Sequence, residues 1–310
     1  MMMQKKKVII DCDPGHDDAA AIILAARSPE LELIGITCVA GNVEVEKTSM
    51  NALKLCGLAG IRKVPVVRGM AKPMFSELQT ASAVHGKSGL DGVILPPTDL
   101  QLYPGHAVDF LVETLLASNN DITLIPTAPL TNIAMAMLRE PRIIPRVAQI
   151  VLMGGAMGLG NVTPSAEFNI YTDPEAAKVV FESGAPIVMV GLDATHKAPL
   201  RQEHLNLISR HGTPVSVALT SMFRFYLGAV EQFGIPEYAA LHDACAVASV
   251  CDPSLLKTQL MRVDIEIKGE LTRGRTVCDP YLAQGKPPNV HVGVDFDAER
   301  FFAMLIERLK

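Results

Sequence analysis

The chain has no uninterrupted apolar run near the roughly 18 residues that suggest a bilayer span, so no contact with a membrane is expected. It has no basic block beyond Lys5-Lys6-Lys7, and its net charge is -5 with a pI of about 5.9. A broad positive face for nucleic acid is therefore not expected either. No linker rich in glycine, serine or proline divides it, and no internal repeat or low-complexity tract appears. That argues for one domain over residues 1–310. Cys12, Cys38, Cys56, Cys245, Cys251 and Cys278 lack paired metal-type spacing and read as buried, reduced thiols. The terminal lysines look like the start of an export signal, but only Val8-Ile9-Ile10 follow before the first acid. That is too short for an export segment, and the expected compartment is the cytoplasm.

What is present is apolar and regular. The 310 residues are 49% hydrophobic with a mean hydropathy of +0.26, ample for a large core and for buried subunit contacts. Short apolar runs at Val8–Asp11, Leu33–Val39, Val64–Val67, Ile122–Pro126, Ile150–Met153 and Ile187–Gly191 read as strands. Between them Asp17–Arg27, Val45–Leu58, Ala107–Ala117, Leu130–Leu138 and Pro174–Glu182 read as helices. Such alternation predicts an α/β fold with a mostly parallel sheet and helices on both faces. The last third is less regular, with helices expected at Val215–Phe233, Leu241–Val250 and Ala298–Leu309 and strands at Leu260–Ile267 and Val290–Val294. Ligands of such sheets bind outside the carboxyl ends of the strands, where the polar turns of this sequence gather.

Four aspartates, Asp11, Asp13, Asp17 and Asp18, fall within eight residues, from the end of the first strand through a Pro-Gly turn to the start of the first helix. Acids often cap helices, and one or two would be explained that way. Four strain that account, because like charges so close must be offset. The helix amino terminus offsets part, and a hard divalent cation with oxygen ligands does so more completely. Two of the acids would hold the ion and a third would activate a water beside it. His242-Asp243 opens a distant helix; Asp243 would add an oxygen ligand and His242 would protonate a leaving group, although such pairs also serve as plain caps. Asn42, Asn161, Glu167 and Asn169 offer the amides and carboxylate needed to grip vicinal hydroxyls, against the blander reading of ordinary turn chemistry. His85-Gly86-Lys87-Ser88-Gly89-Leu90-Asp91-Gly92 lacks the context of a phosphate-binding loop and reads as a flexible cover.

The run Asp11-Cys12-Asp13-Pro14-Gly15-His16-Asp17-Asp18-Ala19 resembles the signature of the inosine-uridine-preferring nucleoside hydrolases. The likeness continues in family order through Val39-Ala40-Gly41-Asn42, His85-Gly86, Pro129-Leu130-Thr131-Asn132, Val151-Leu152-Met153-Gly154-Gly155-Ala156, Ser165-Ala166-Glu167-Phe168-Asn169-Ile170 and His242-Asp243. The sequence is most similar to the bacterial pyrimidine-preferring members. The resemblance implies one α/β domain that binds calcium and hydrolyses the N-glycosidic bond of small-molecule ribonucleosides, as a homodimer or homotetramer. It implies that Asp13, Asp18 and Asp243 ligate Ca2+ with their carboxylates and Thr127 with its carbonyl. Asp17 is then the base acting on the calcium-bound water. Asn42, Met153, Asn161, Glu167, Phe168 and Asn169 line the substrate site, and His242 with His85 serves the leaving base. Ala128 departs from the family's usual glycine; were that position at positive φ, alanine would cost on the order of 1 kcal/mol. A magnesium-dependent phosphatase of the haloacid-dehalogenase type also starts with a strand and Asp-x-Asp, but leaves Glu167 and His242 without work. A non-catalytic nucleoside-binding protein would need neither Asp17 as a base nor His242 as an acid.

Overall fold

A computed structural model describes residues 5–232 and 239–310. The chain opens with β1 (Lys6–Cys12), α1 (His16–Arg27), β2 (Leu31–Cys38), α2 (Val45–Ala59) and β3 (Val66–Arg68). A long irregular stretch holds the single turn α3 (Ser82–His85). Then come α4 (Ala107–Ala117), β4 (Ile122–Pro126), α5 (Thr131–Arg139), β5 (Val147–Met153), α6 (Phe168–Thr172), α7 (Pro174–Phe181) and β6 (Ile187–Val190). Four helices follow: α8 (Leu192–Thr195), α9 (Gln202–Ser209), α10 (Pro214–Glu231) and α11 (His242–Cys251). The closing elements are β7 (Leu256–Ile265), β8 (Thr276–Asp279), β9 (Val290–Phe296) and α12 (Ala298–Arg308).

One sheet contains all nine strands in the order β3-β2-β1-β4-β5-β6-β9-β7-β8. The first seven in that order run parallel, while β7 lies antiparallel to β9 and β8 antiparallel to β7. The expected α/β architecture is thus present. Strand β1 shows why its sequence is a continuous apolar run: both faces are covered. Val8, Ile10 and Cys12 face one core with residues of α1, α10 and α11, and Ile9 faces the other with residues of α4, α5 and α7. All six cysteines are free, five of them buried.

The strand order positions the site. From β1 the chain steps outward to β2 and β3, then returns to the opposite flank of β1 with β4. Connections leaving the carboxyl ends of β1 and β4 therefore diverge, and a crevice opens where the order reverses. Helix α1 starts directly beneath it. Asp18 accepts the N–H of Gly15 (2.9 Å), closing the first turn, while Asp17 and Asp18 meet the positive end of the helix. Ala19, Ala20 and Ala21 are fully buried, and α1 packs on α11. Leu241–Val250 was expected as a helix and α11 covers His242–Cys251, every residue of it buried. The expected helix Val215–Phe233 is α10, capped by Thr213 and ending at Glu231; Phe233 lies outside the described residues.

Candidate active site

Two segments distant in sequence bring their acids together. Asp13 follows β1, Asp17 and Asp18 open α1, and Asp243 opens α11. One carboxylate oxygen from each of Asp17, Asp18 and Asp243 lies within 4.8 Å of the others. Asp13 stands beside them: its Oδ2 accepts the Asn42 N–H at 2.7 Å, and its Oδ1 is buried with no hydrogen-bond partner. Asp18 Oδ1 accepts the Thr127 hydroxyl at 2.8 Å.

Burial penalises every one of these charges, and neighbouring aspartates raise Asp13, Asp18 and Asp243 further. The Asp17 carboxyl is pushed up to about 6 and that of Asp18 to about 7, chiefly by burial. Asp13 and Asp243 are driven well above the carboxylate range by burial first and by neighbouring aspartates next. Among the described residues no lysine or arginine lines the cavity. Uncompensated buried charges are costly, and an orphaned carboxylate oxygen in an all-oxygen setting is what a hard divalent cation satisfies. The residues present fit such an ion. Asp11, also in the acidic run, turns away from this group: its Oδ1 accepts the Asn132 amide (2.7 Å) and the Thr37 hydroxyl (2.5 Å) beneath the floor.

Beside the acids is a cavity of about 520 Å³, lined by Asp17, Asn42, His85, Thr127, Met153, Asn161, Glu167, Phe168, Asn169, His242 and Asp243. The size suits a small-molecule ligand. Of the expected site residues only Asp13 and Asp18 stand behind the lining. Glu167 precedes α6 and accepts N–H groups from Asn169 (2.9 Å), Gly155 (3.0 Å) and Ile170 (3.2 Å). Burial nevertheless holds its carboxyl up at about 7. Asn169 donates from Nδ2 to the carbonyls of Thr127 and Met153, both at 3.1 Å, which joins β4 and β5 to α6. Asn42 donates to the Asp13 carbonyl (3.1 Å), and Asn161 accepts the Phe168 N–H (2.9 Å).

Three histidines, His85, His196 and His242, line the cavity. His242 Nδ1 lies 2.7 Å from the Thr195 hydroxyl. His85 ends α3, and in the glycine-rich loop after it Asp91 accepts the N–H groups of Lys87 (3.0 Å) and Ser88 (3.1 Å). The concern over Ala128 falls away. Among the described residues only Asn120 and Leu282 combine a side chain with positive φ, so the alanine sits fully buried without that strain. Sequence reasoning missed Thr195, His196 and His16, and it did not single out Tyr226. A single threonine or tyrosine in an apolar helix carries no spacing signal. His16 did stand inside the acidic run, where the aspartates drew the attention.

Comparison with known proteins agrees with this geometry. A family model described as inosine-uridine preferring nucleoside hydrolase matches residues 8–303. The pyrimidine-specific ribonucleoside hydrolase RihB of Escherichia coli K12 is 44% identical over 306 residues, covering 98% of this chain and 97% of the relative. Among solved structures, the plant nucleoside hydrolase PpNRh1 superposes with a TM-score of 0.93 at 36% identity over 99% of both chains. A purine-preferring ribonucleoside hydrolase from Gardnerella vaginalis gives 0.92, also at 36% identity, over 98% of both. A match over nearly the whole chain, with the acids and amides of the motif converging on one cavity, makes this protein a member of the inosine-uridine preferring nucleoside hydrolase family.

Proposed function

We propose that this protein hydrolyses the N-glycosidic bond of ribonucleosides, prefers uridine and cytidine, and does so with a bound calcium ion. The observation that carries the reading is the meeting of Asp17, Asp243, Glu167, Asn42 and Asn169 on one cavity with His85 and His242 at its sides. Asp13, Asp18 and Asp243, with the Thr127 carbonyl, would hold the ion, which when bound offsets their charge and acts as a Lewis acid towards water and ribose hydroxyls.

The chain's own groups account for the remaining chemistry. Asn42, Asn161 and Asn169 orient the sugar hydroxyls. Asp17, raised by burial towards neutral pH, takes the proton of the attacking water. Cleavage builds positive charge on the ribose ring, and the Glu167 carboxylate stabilises it in the transition state more than in the ground state. The departing base needs a proton, which His242 and His85 supply. A phosphatase reading is disfavoured because, among the described residues, no lysine or arginine lines the cavity to receive a phosphate. A pyrimidine preference is supported by the 44% identity to an enzyme named for it, whereas the purine-preferring relative stands at 36%.

The test is release of ribose from uridine, cytidine and inosine with calcium present. Release from none of them overturns the activity, and faster release from inosine overturns the base preference. The single domain, the cytoplasmic location and a homodimer or homotetramer belong to the same proposal. Free cysteines fit a reducing compartment, and the outward Leu271, Tyr281 and Phe75 fit a subunit contact. Sedimentation giving a monomer at micromolar concentration would remove the oligomer.

A further inference from the structure

The first residue of α1, His16, belongs to the acidic run yet takes no part in holding its charges. It is fully buried, and both its ends are committed. Its Nε2 lies 2.8 Å from the Asp91 carbonyl oxygen, which only accepts, so Nε2 carries a hydrogen. Its Nδ1 lies 3.1 Å from Nδ1 of His85, with the two rings stacked at 5.2 Å between centroids and 20° between planes. A neutral His16 protonated on Nε2 offers only a lone pair at Nδ1. Two lone pairs facing at that distance repel, so the hydrogen between the rings belongs to His85 Nδ1. The other nitrogen of His85, Nε2, makes no hydrogen bond to any described residue, and His85 lines the cavity. The main-chain N–H of His16 approaches the same His85 Nδ1 at 3.2 Å and favours the opposite tautomer. The side chain and the backbone of one residue thus compete to set the proton position on another.

We propose that His16 is a positioning residue whose Nδ1 lone pair holds the hydrogen of His85 on Nδ1, leaving His85 Nε2 to exchange the proton with the departing base. This rests on the hydrolase reading above and deepens it. When His85 carries both hydrogens, Nδ1–H points to His16 and Nε2–H points to the base; after transfer Nε2 keeps its lone pair and the base leaves neutral. The loop closed by Asp91 has a matching purpose, since it supplies the carbonyl that fixes the His16 tautomer.

The experiment compares uridine with a nitrophenyl ribofuranoside, whose leaving group departs as a stable anion and needs no proton. His16→Ala should lower kcat on uridine by about 100-fold, the low end of general-acid contributions, and leave the aryl riboside within about threefold. His16→Asn, whose side-chain oxygen can replace the lost acceptor, should recover most of the uridine rate. Nitrogen chemical shifts of labelled histidine, assigned with His85→Asn, should report Nδ1–H at His85 in the wild type and its loss in His16→Ala. Equal losses on both substrates, an unchanged tautomer, or an undiminished uridine rate each overturn the proposal. A wild type inert towards uridine and aryl riboside alike overturns the hydrolase reading itself, which is a separate outcome.

Discussion

Asp11→Asn isolates the cost of burying one aspartate that touches no other carboxylate of the site. The wild-type carboxyl is 1% exposed; Oδ1 receives Thr37 and Asn132, and Oδ2 receives nothing. Burial lifts it from an ordinary 3.8 to about 7, with the two hydrogen bonds pulling the other way. A carboxyl raised in the folded state holds a proton there that the unfolded chain has already lost. Its contribution to stability is therefore complete below the unfolded value and disappears as pH climbs through about 7. Between about pH 5 and about pH 8 the loss amounts to roughly 2.5 kcal/mol, at 1.36 kcal/mol for each unit of separation between the two states. Asparagine retains the Oδ1 acceptor and does not titrate. Its new N–H₂, placed where Oδ2 was unpaired, carries a pH-independent penalty of about 1–3 kcal/mol. Denaturant unfolding of both proteins at the two pH values, in chelator, separates these terms. The variant should gain roughly 2.5 kcal/mol on the wild type as pH rises. A difference between the proteins that is the same at both pH values would refute the reasoning, because the penalty alone would then be operating.

Asp17→Asn should reduce turnover of uridine by about 10²–10⁴-fold while a binding titration still registers the nucleoside; near-normal rates would take the base role from Asp17. Ala128→Gly should leave calcium affinity unchanged within about twofold by calorimetry, since the residue is not in the left-handed region and glycine relieves no strain there. Phe301→Ala, in a fully buried position of α12 outside the cavity lining, should lower unfolding free energy by about 3–5 kcal/mol without altering kcat in the folded fraction.

Most strands were readable because a parallel strand covered on both faces leaves a plain mark. Val8-Ile9-Ile10 and Ile122–Pro126 have no polar side to confuse the period. The end of the chain was harder to read. The edge strand β8 carries only Thr276–Asp279, and the eight-residue α9 sits among polar residues, so neither yields a clear period. Nor does periodicity reveal that β9 inserts between β6 and β7, a choice made by side chains packing across the sheet.

The amino-acid order alone marked which residues are the candidates for the chemistry. A crowded acidic turn after a buried strand, with Glu167, Asn169 and Asp243 in matching motifs, needs no coordinates to be recognised, because charge density and turn residues are local properties. Tertiary structure decided which of those groups meet. It sent Asp11 beneath the floor to Asn132, carried Asp243 across from α11, and set the ring of His16 against His85. Those pairings depend on strand order and on two helices packed together. Contacts between residues so far apart along the chain are settled by packing, which no local pattern records.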